Sequence, residues 1–279
     1  MWRVSPQIMK IEEINNIIQN PYLEFKEELE RRTSGRSGLL AEVEDYLNCT
    51  PGKQLRPMLV LLSAKACGHL TQGHSLLATA MELLHNATLM HDDVVDESEE
   101  RRGKASVRGH WGNQVAVLCG DYYLAQCMAV LQQVGNRSAS EIVAKTVMTM
   151  CQGELDQLYW TKSGGTSKET YLEVIGGKTA SLMSACCELG AVSLGENVDK
   201  EQPYRALLRD FGYEYGLVFQ MRDDMADEGN MHDIHLPEDV DMKEVIEEHL
   251  VKAEGLLEQL PDSDAKTALK AMLELKIER

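Results

Sequence analysis

Six aspartates in two matched groups are the residues here whose types and spacing point most directly to chemistry. Asp92, Asp93 and Asp96 stand in the order Asp-Asp-x-x-Asp, and Asp223, Asp224 and Asp227 repeat it, each group near the C-terminal end of a long predicted helix. Residues i and i+4 share one helix face, so Asp92 and Asp96 project together while Asp93 sits about 100° around the axis. Such crowding of like charge is unfavourable unless a cation neutralises it. Mg2+ suits the task, because it accepts one or two carboxylates and completes its shell with water and substrate phosphates. Two such clusters facing each other would grip a diphosphate through bridging metal ions. A lone copy reads equally well as a solvated acidic helix end. Two copies, each preceded by an amphipathic helix, favour the metal.

Basic residues that a diphosphate requires lie around these motifs. Lys53 and Arg56 sit in Gly-Lys-Gln-Leu-Arg-Pro at a predicted helix start, where free backbone N–H groups also attract anions. Arg101 and Arg102 follow the first acidic motif, and Lys178-Thr179 follows Gly176-Gly177 at another predicted helix start. Taken singly, each reads as a surface charge; together, in an acidic chain, they read as two phosphate cradles. The formal charge of -17 argues against a nucleic-acid partner, because phosphate backbones are held by Lys/Arg surfaces that this chain largely lacks.

The elements that must position these residues are helices. Apolar residues recur at helical spacing, as in Leu76, Leu77, Ala80, Leu83, Leu84 and Ala87, and no segment alternates with period two. The pattern predicts helices at 7–32, 37–48, 54–68, 72–92, 111–134, 138–160, 167–175, 178–195, 201–228, 241–260 and 263–278. Breaks fall at Gly and Pro positions such as Gly103, Gly164-Gly165, Gly176-Gly177 and Gly195. The expected fold is all-α, a single domain over 1–279, since no linker-like or repeated stretch divides the chain. No apolar run approaches the about 18 residues of a membrane helix, and the N-terminus lacks the apolar core of a secretory signal. The 7 cysteines, an odd number without a CxxC pair, fit buried thiols in a reducing cytosol. A cytoplasmic protein without a transmembrane segment is expected.

The motifs GKQLRP (52–57), LLHNATLMHDDVVDESEERRG (83–103), GNQVAVLCGDYYLA (112–125), GELDQL (153–158), GGKTASL (176–182) and FQMRDD (219–224) resemble the trans-isoprenyl diphosphate synthases, or polyprenyl synthetases. The likeness runs in order from about residue 36 to 228, and residues 253–273 look like that family's last helices. It implies a helical bundle around a deep central cavity, usually in a homodimer. Carried over by position, Asp92, Asp93, Asp96, Asp223, Asp224 and Asp227 would bind Mg2+, three ions once diphosphate is present. Arg101, Lys178 and Thr179 would contact the allylic diphosphate, farnesyl diphosphate or a similar one. Lys53, Arg56, His85, Arg102 and Gln220 would hold isopentenyl diphosphate. The diphosphate would leave, the allylic cation would be attacked by the double bond of isopentenyl diphosphate, and loss of a proton, in the family usually to the released diphosphate, would give a longer trans-polyprenyl diphosphate.

Three further expectations follow. The family measures its product below the first aspartate motif, and small Ala87, with Leu84 and Met81 one and two turns deeper, points to a medium- or long-chain product. The family's glycine- and lysine-bearing loop and further helices after the second motif are missing, because residues 229–245 lead almost directly to the C-terminal pair; Lys243 is a candidate substitute lysine, although it reads better as a surface lysine. Rival readings explain less. A His-Asp phosphohydrolase, suggested by His91-Asp92, ignores the second motif; a terpene cyclase has no use for Lys53, Arg56 and His85; and a non-catalytic subunit that modulates a partner would be expected to have lost carboxylates that this chain keeps.

Overall fold

The computed structural model describes residues 9–34, 37–49, 52–101, 103–163, 167–194, 203–226, 236–237 and 239–275. In chain order the helices are α1 (Ile11–Ile17), α2 (Gln19–Arg32), α3 (Leu39–Asn48), α4 (Leu55–Ala66), α5 (Gln72–Val95), α6 (Val107–Trp111), α7 (Asn113–Val134), α8 (Arg137–Ser163), α9 (Lys168–Ile175), α10 (Ser181–Gly190), α11 (Arg205–Ala226), α12 (Met242–Glu258) and α13 (Asp264–Glu274). The all-α expectation holds, with one addition: Glu100–Arg101 (β1) and Lys104–Ala105 (β2) form a small antiparallel hairpin in which Arg101 lies opposite Lys104.

Three predicted boundaries move, each for a local reason. The first helix is divided at Ile18, whose φ of -119° and ψ of 25° end α1 and start α2. The helix expected from residue 111 is split by Gly112, whose φ of +83° is a conformation that favours glycine. Gly176-Gly177 is no break at all. The chain passes from α9 through a π-helical turn, Gly176–Ala180, directly into α10.

The core is built around α4 and α5, which are apolar on most faces and packed on all sides. Met58, Leu59, Val60, Leu61 and Leu62 of α4 are fully buried, as are Leu77, Ala78, Ala80, Met81 and Leu83 of α5. Helices α2, α7, α10 and α13 contribute to the same cluster. A second apolar cluster joins α9, the π turn, α11 and α12 through Tyr171, Val174, Ala180, Leu217, Val218, Met221, Val245 and Ile246. Fixing these helices against each other fixes the ends of α5 and α11, where the aspartate motifs lie.

The α5 start is pinned by Thr71 and His74. The Thr71 backbone N–H donates to His74 Nδ1 at 3.1 Å, and His74 Nε2 lies 3.1 Å from the Val192 carbonyl oxygen. The cysteines are all free thiols, but Cys49 and Cys151 are exposed rather than buried. Among the described residues, α7 is the one helix long and apolar enough to cross a membrane by length and mean hydropathy, 22 residues at 1.3. The sequence expectation missed it because α7 has no unbroken apolar run: Gly120, Asp121 and Gln126 interrupt it, while Ala116, Tyr123, Cys127 and Val130 are buried in the core.

Candidate functional site

The first motif occupies the last turn of α5. Asp92 and Asp93 are helical, and Asp96 is the C-cap residue, its N–H donating to the Asp92 carbonyl at 2.8 Å. A helix C-terminus already carries partial negative charge, and the last turn of α5 has no basic residue to offset it. Burial pushes the Asp92 carboxyl up to about 7, the charges of Glu154 and Asp96 push the same way, and Lys178 and Arg101 pull against them. Asp93 is held differently. It is 3% exposed and accepts a hydrogen bond from Arg101 Nε at 2.8 Å. Burial raises its pKa despite that cation. The β1–β2 hairpin is what brings Arg101 back onto Asp93. Arg102 lies outside the described residues.

The π turn faces this motif from the other side. Its Lys178 Nζ lies 3.1 Å from Glu154 Oε1 of α8. Burial works against the ammonium charge, but Glu154, Asp92 and Asp96 outweigh it and hold the Lys178 pKa above the usual lysine value. Thr179 Oγ1 donates to Gln220 Oε1 at 2.7 Å, Gln220 Nε2 donates to Asp224 Oδ1 at 2.7 Å, and Tyr171 OH donates to Asp224 Oδ2 at 2.5 Å. Adjacent residues of one turn thus reach the two acidic motifs, Lys178 the first and Thr179 the second. This corrects the expected helix start at Lys178: no free N-terminal N–H groups are presented there, and the extra residue of the π turn aims both side chains instead. It also places Gln220 in the Thr179 network. Asp223 is half-buried in the last turn of α11, and Asp227 lies outside the described residues.

The third group gathers at the start of α4. Arg56 Nη1 lies 3.0 Å from His85 Nε2 on α5, so two residues 29 apart in sequence meet. Lys53 is exposed just before the helix. Between them Gln54 adopts φ 52° and ψ 41°, left-handed for a residue with a side chain, and Tyr22 OH donates to its Oε1 at 2.7 Å. Strained backbone of this kind concentrates at functional sites. Sequence reasoning missed Gln54, Tyr22, Glu154 and Tyr171. Glu154 lies in the quoted motif GELDQL, where a carboxylate opposite Lys178 was readable only once the helices were placed.

Among the described residues no three His, Cys, Asp or Glu side chains converge as a ready metal cage. His91 Nε2 faces the Val117 carbonyl at 3.3 Å and Asp121 at 3.4 Å, toward α7, which removes the observation behind the His-Asp hydrolase reading. Ala87, Leu84 and Met81 are buried on α5, at 2%, 1% and 0% exposure. Lys243 is exposed in the first turn of α12, and most of the segment expected to be shortened, 229–235 and Glu238, lies outside the described residues.

Residues 37–235 match the polyprenyl synthetase family. The chain belongs to that family. It is accordingly a prenyltransferase, a transferase of isoprenoid biosynthesis, and the family's general use of magnesium agrees with its paired aspartates. Among the relatives of this polyprenyl synthetase, the heptaprenyl diphosphate synthase component 2 of Geobacillus stearothermophilus is 34% identical over 219 residues, covering 78% of this chain and 67% of that protein. The octaprenyl diphosphate synthase of Escherichia coli (strain K12) is 31% identical over 219 residues, with the same 78% and 67% shares. The match thus spans about two thirds of the length of these relatives. Solved structures agree on the fold: a decaprenyl diphosphate synthase from Rhodobacter capsulatus superposes with a TM-score of 0.81 at 26% identity, covering 95% of this chain and 98% of that one. A polyprenyl synthase from Caulobacter crescentus CB15, complexed with calcium and isoprenyl diphosphate, gives 0.86 at 25% identity, covering 96% and 97%.

Proposed function

We propose that this chain, acting as one domain, joins an allylic diphosphate, farnesyl diphosphate or a similar one, to isopentenyl diphosphate and releases a medium- or long-chain trans-polyprenyl diphosphate. The π turn is the observation that carries the reading, because it sets Lys178 against the first acidic motif and ties Thr179 to the second, so that one diphosphate can lie between both.

In this reading Asp92, Asp96 and the second motif bind Mg2+, three ions with diphosphate present. The residues fit that ion. Asp92 is held near neutrality by burial, Glu154 and Asp96 at a helix C-terminus, a charge problem that a divalent cation relieves. Mg2+ takes few protein ligands and fills its shell with water and phosphate oxygen. When bound, Mg2+ supplies Lewis-acid stabilisation to the departing diphosphate. The chain's own residues do the rest: Lys178 and Arg101 neutralise phosphate oxygens, Asp93 orients Arg101, and Thr179 and Gln220 fix the position of the allylic diphosphate. Arg56 and His85, with Lys53 and Arg102, hold isopentenyl diphosphate so that its double bond meets the allylic carbon.

We further propose a cytoplasmic homodimer joined through α7 and α8. Leu118, Met128, Met148, Leu155 and Tyr159 are between 57% and 67% exposed on these two helices, an unusual concentration of large apolar surface. The Geobacillus relative is named as a component 2, so a different second subunit is the competing occupant of that face.

The decisive experiment incubates the purified chain with labelled isopentenyl diphosphate, farnesyl diphosphate and Mg2+ and chromatographs the products. A ladder of longer prenyl diphosphates that vanishes with chelator and returns with Mg2+ is expected. Full turnover in excess chelator, or no condensation under any metal condition, would overturn the proposal. Light scattering reads the assembly: a monomer at micromolar concentration would remove the homodimer.

A further inference from the structure

Tyr171 enters the site from behind. Its ring is fully buried in the second apolar cluster, against α11 and α12, and Met242 Sδ at the start of α12 lies 4.0 Å from its hydroxyl. Packing alone would be served by phenylalanine. A buried hydroxyl demands a hydrogen-bond partner, and here the acceptor is Asp224 of the second aspartate motif, at 2.5 Å. The other Asp224 oxygen accepts from Gln220 at 2.7 Å, and Gln220 in turn accepts from Thr179 at 2.7 Å.

We propose that Tyr171 is a positioning residue that fixes the Asp224 carboxylate, and through Gln220 the Thr179 hydroxyl, in the orientation that Mg2+ and diphosphate require. Two donors, one on each oxygen, remove the rotational freedom of the carboxylate about its Cβ–Cγ bond. An ionised carboxylate offers about four lone-pair positions, so two remain for a metal ion or its water. The phenol is itself held in place, because α11 and α12 pack against its ring. This is the outer support that ligating carboxylates need, supplied across an interhelical contact that sequence spacing does not reveal. The proposal rests on the reading of Asp224 as a metal-site residue.

The test is calorimetric titration of Mg2+ in the presence of inorganic diphosphate, with thermal melting and steady-state kinetics on the same proteins. Tyr171→Phe keeps the ring and removes only the donor. It should weaken Mg2+ binding by about 10- to 100-fold and lower kcat, while the KM for isopentenyl diphosphate stays unchanged. Val245→Ala, a cavity in the same cluster that leaves the hydroxyl in place, should lower the melting temperature without that loss of affinity. Wild-type Mg2+ affinity in Tyr171→Phe, or an equal loss in Val245→Ala, would overturn the inference alone. Absence of Mg2+-dependent diphosphate binding by the unaltered chain would instead sink the metal-site reading and this inference with it.

Discussion

Gly153 of α8 and Gly177 of the π turn pack backbone against backbone: a Cβ on Gly153 would stand 2.6 Å from the Lys178 amide nitrogen and 2.8 Å from the Gly177 carbonyl carbon. Neither contact is with a side chain that could swing away. The close approach brings Glu154, the next residue on α8, within reach of Lys178. Gly153→Ala should therefore push the turn outward and displace Lys178 and Thr179 together. Overpacking of this kind destabilises by about 1–3 kcal/mol, and the loss in turnover should exceed what the fall in melting temperature explains. A fully active, equally stable Gly153→Ala protein would contradict the role given to this contact.

The two substrate positions separate kinetically through their basic and acidic residues. Arg56, paired with His85 at the start of α4, serves isopentenyl diphosphate in our reading. Arg56→Ala should mainly raise the KM for that substrate, with an effect of about 2–4 kcal/mol for a charge-assisted contact. Asp92→Ala should mainly depress kcat. Small and equal effects of both substitutions would remove the division.

Most of the helices were legible because apolar residues recur at helical spacing between Gly and Pro breaks, and the aspartate motifs were legible because the same Asp-Asp-x-x-Asp order occurs twice, each time after an amphipathic helix. The π turn was not. A glycine pair reads as a break, and only the close packing of Gly153 on Gly177 shows why the helix continues there with a wider turn. Tyr171 and Glu154 were hidden for a related reason. Tyr171 is 53 residues from Asp224, and its partner is set by how α9 crosses α11. The resemblance implied a role for Gln220 with isopentenyl diphosphate, but its bonds to Thr179 and Asp224 could not be read from the sequence.

Acid should unfasten the start of α5. His74 is fully buried, and burial lowers its pKa from 6.5 to about 4, helped by His69 and opposed by its hydrogen bonds to Val192 and Thr71. Between those values the unfolded chain binds a proton that the folded chain refuses, so stability rises with pH across the window. The contribution is complete above pH 6.5 and is lost as pH falls toward about 4. It amounts to at most on the order of 3 kcal/mol. Urea unfolding of the wild type and His74→Gln across this range is the check. The variant should show a flatter pH dependence, and identical slopes would rule out His74 as the source.

Product length is the last property that the site geometry addresses. Ala87 lies five residues before Asp92, and Leu84 and Met81 continue the same buried strip of α5 away from the diphosphate position. A growing chain that follows this strip meets a small side chain first and flexible apolar ones after it. Burial gains roughly 0.8 kcal/mol for each methylene-sized group, so an unobstructed path favours continued elongation. Products beyond the farnesyl stage are therefore expected of the wild type. Ala87→Tyr places a phenol ring across the path and should shorten the ladder to its first few members while leaving Mg2+ dependence intact. Overpacking must be distinguished from a true floor. If Ala87 only packs against a neighbouring helix, the tyrosine will lower the melting temperature, by an amount equivalent to about 1–3 kcal/mol, and leave the product distribution where it was. Shortened products from a folded variant, read by reversed-phase chromatography beside a melting curve, support the tunnel; an unchanged ladder, or a wild type that stops at farnesyl diphosphate, rules it out.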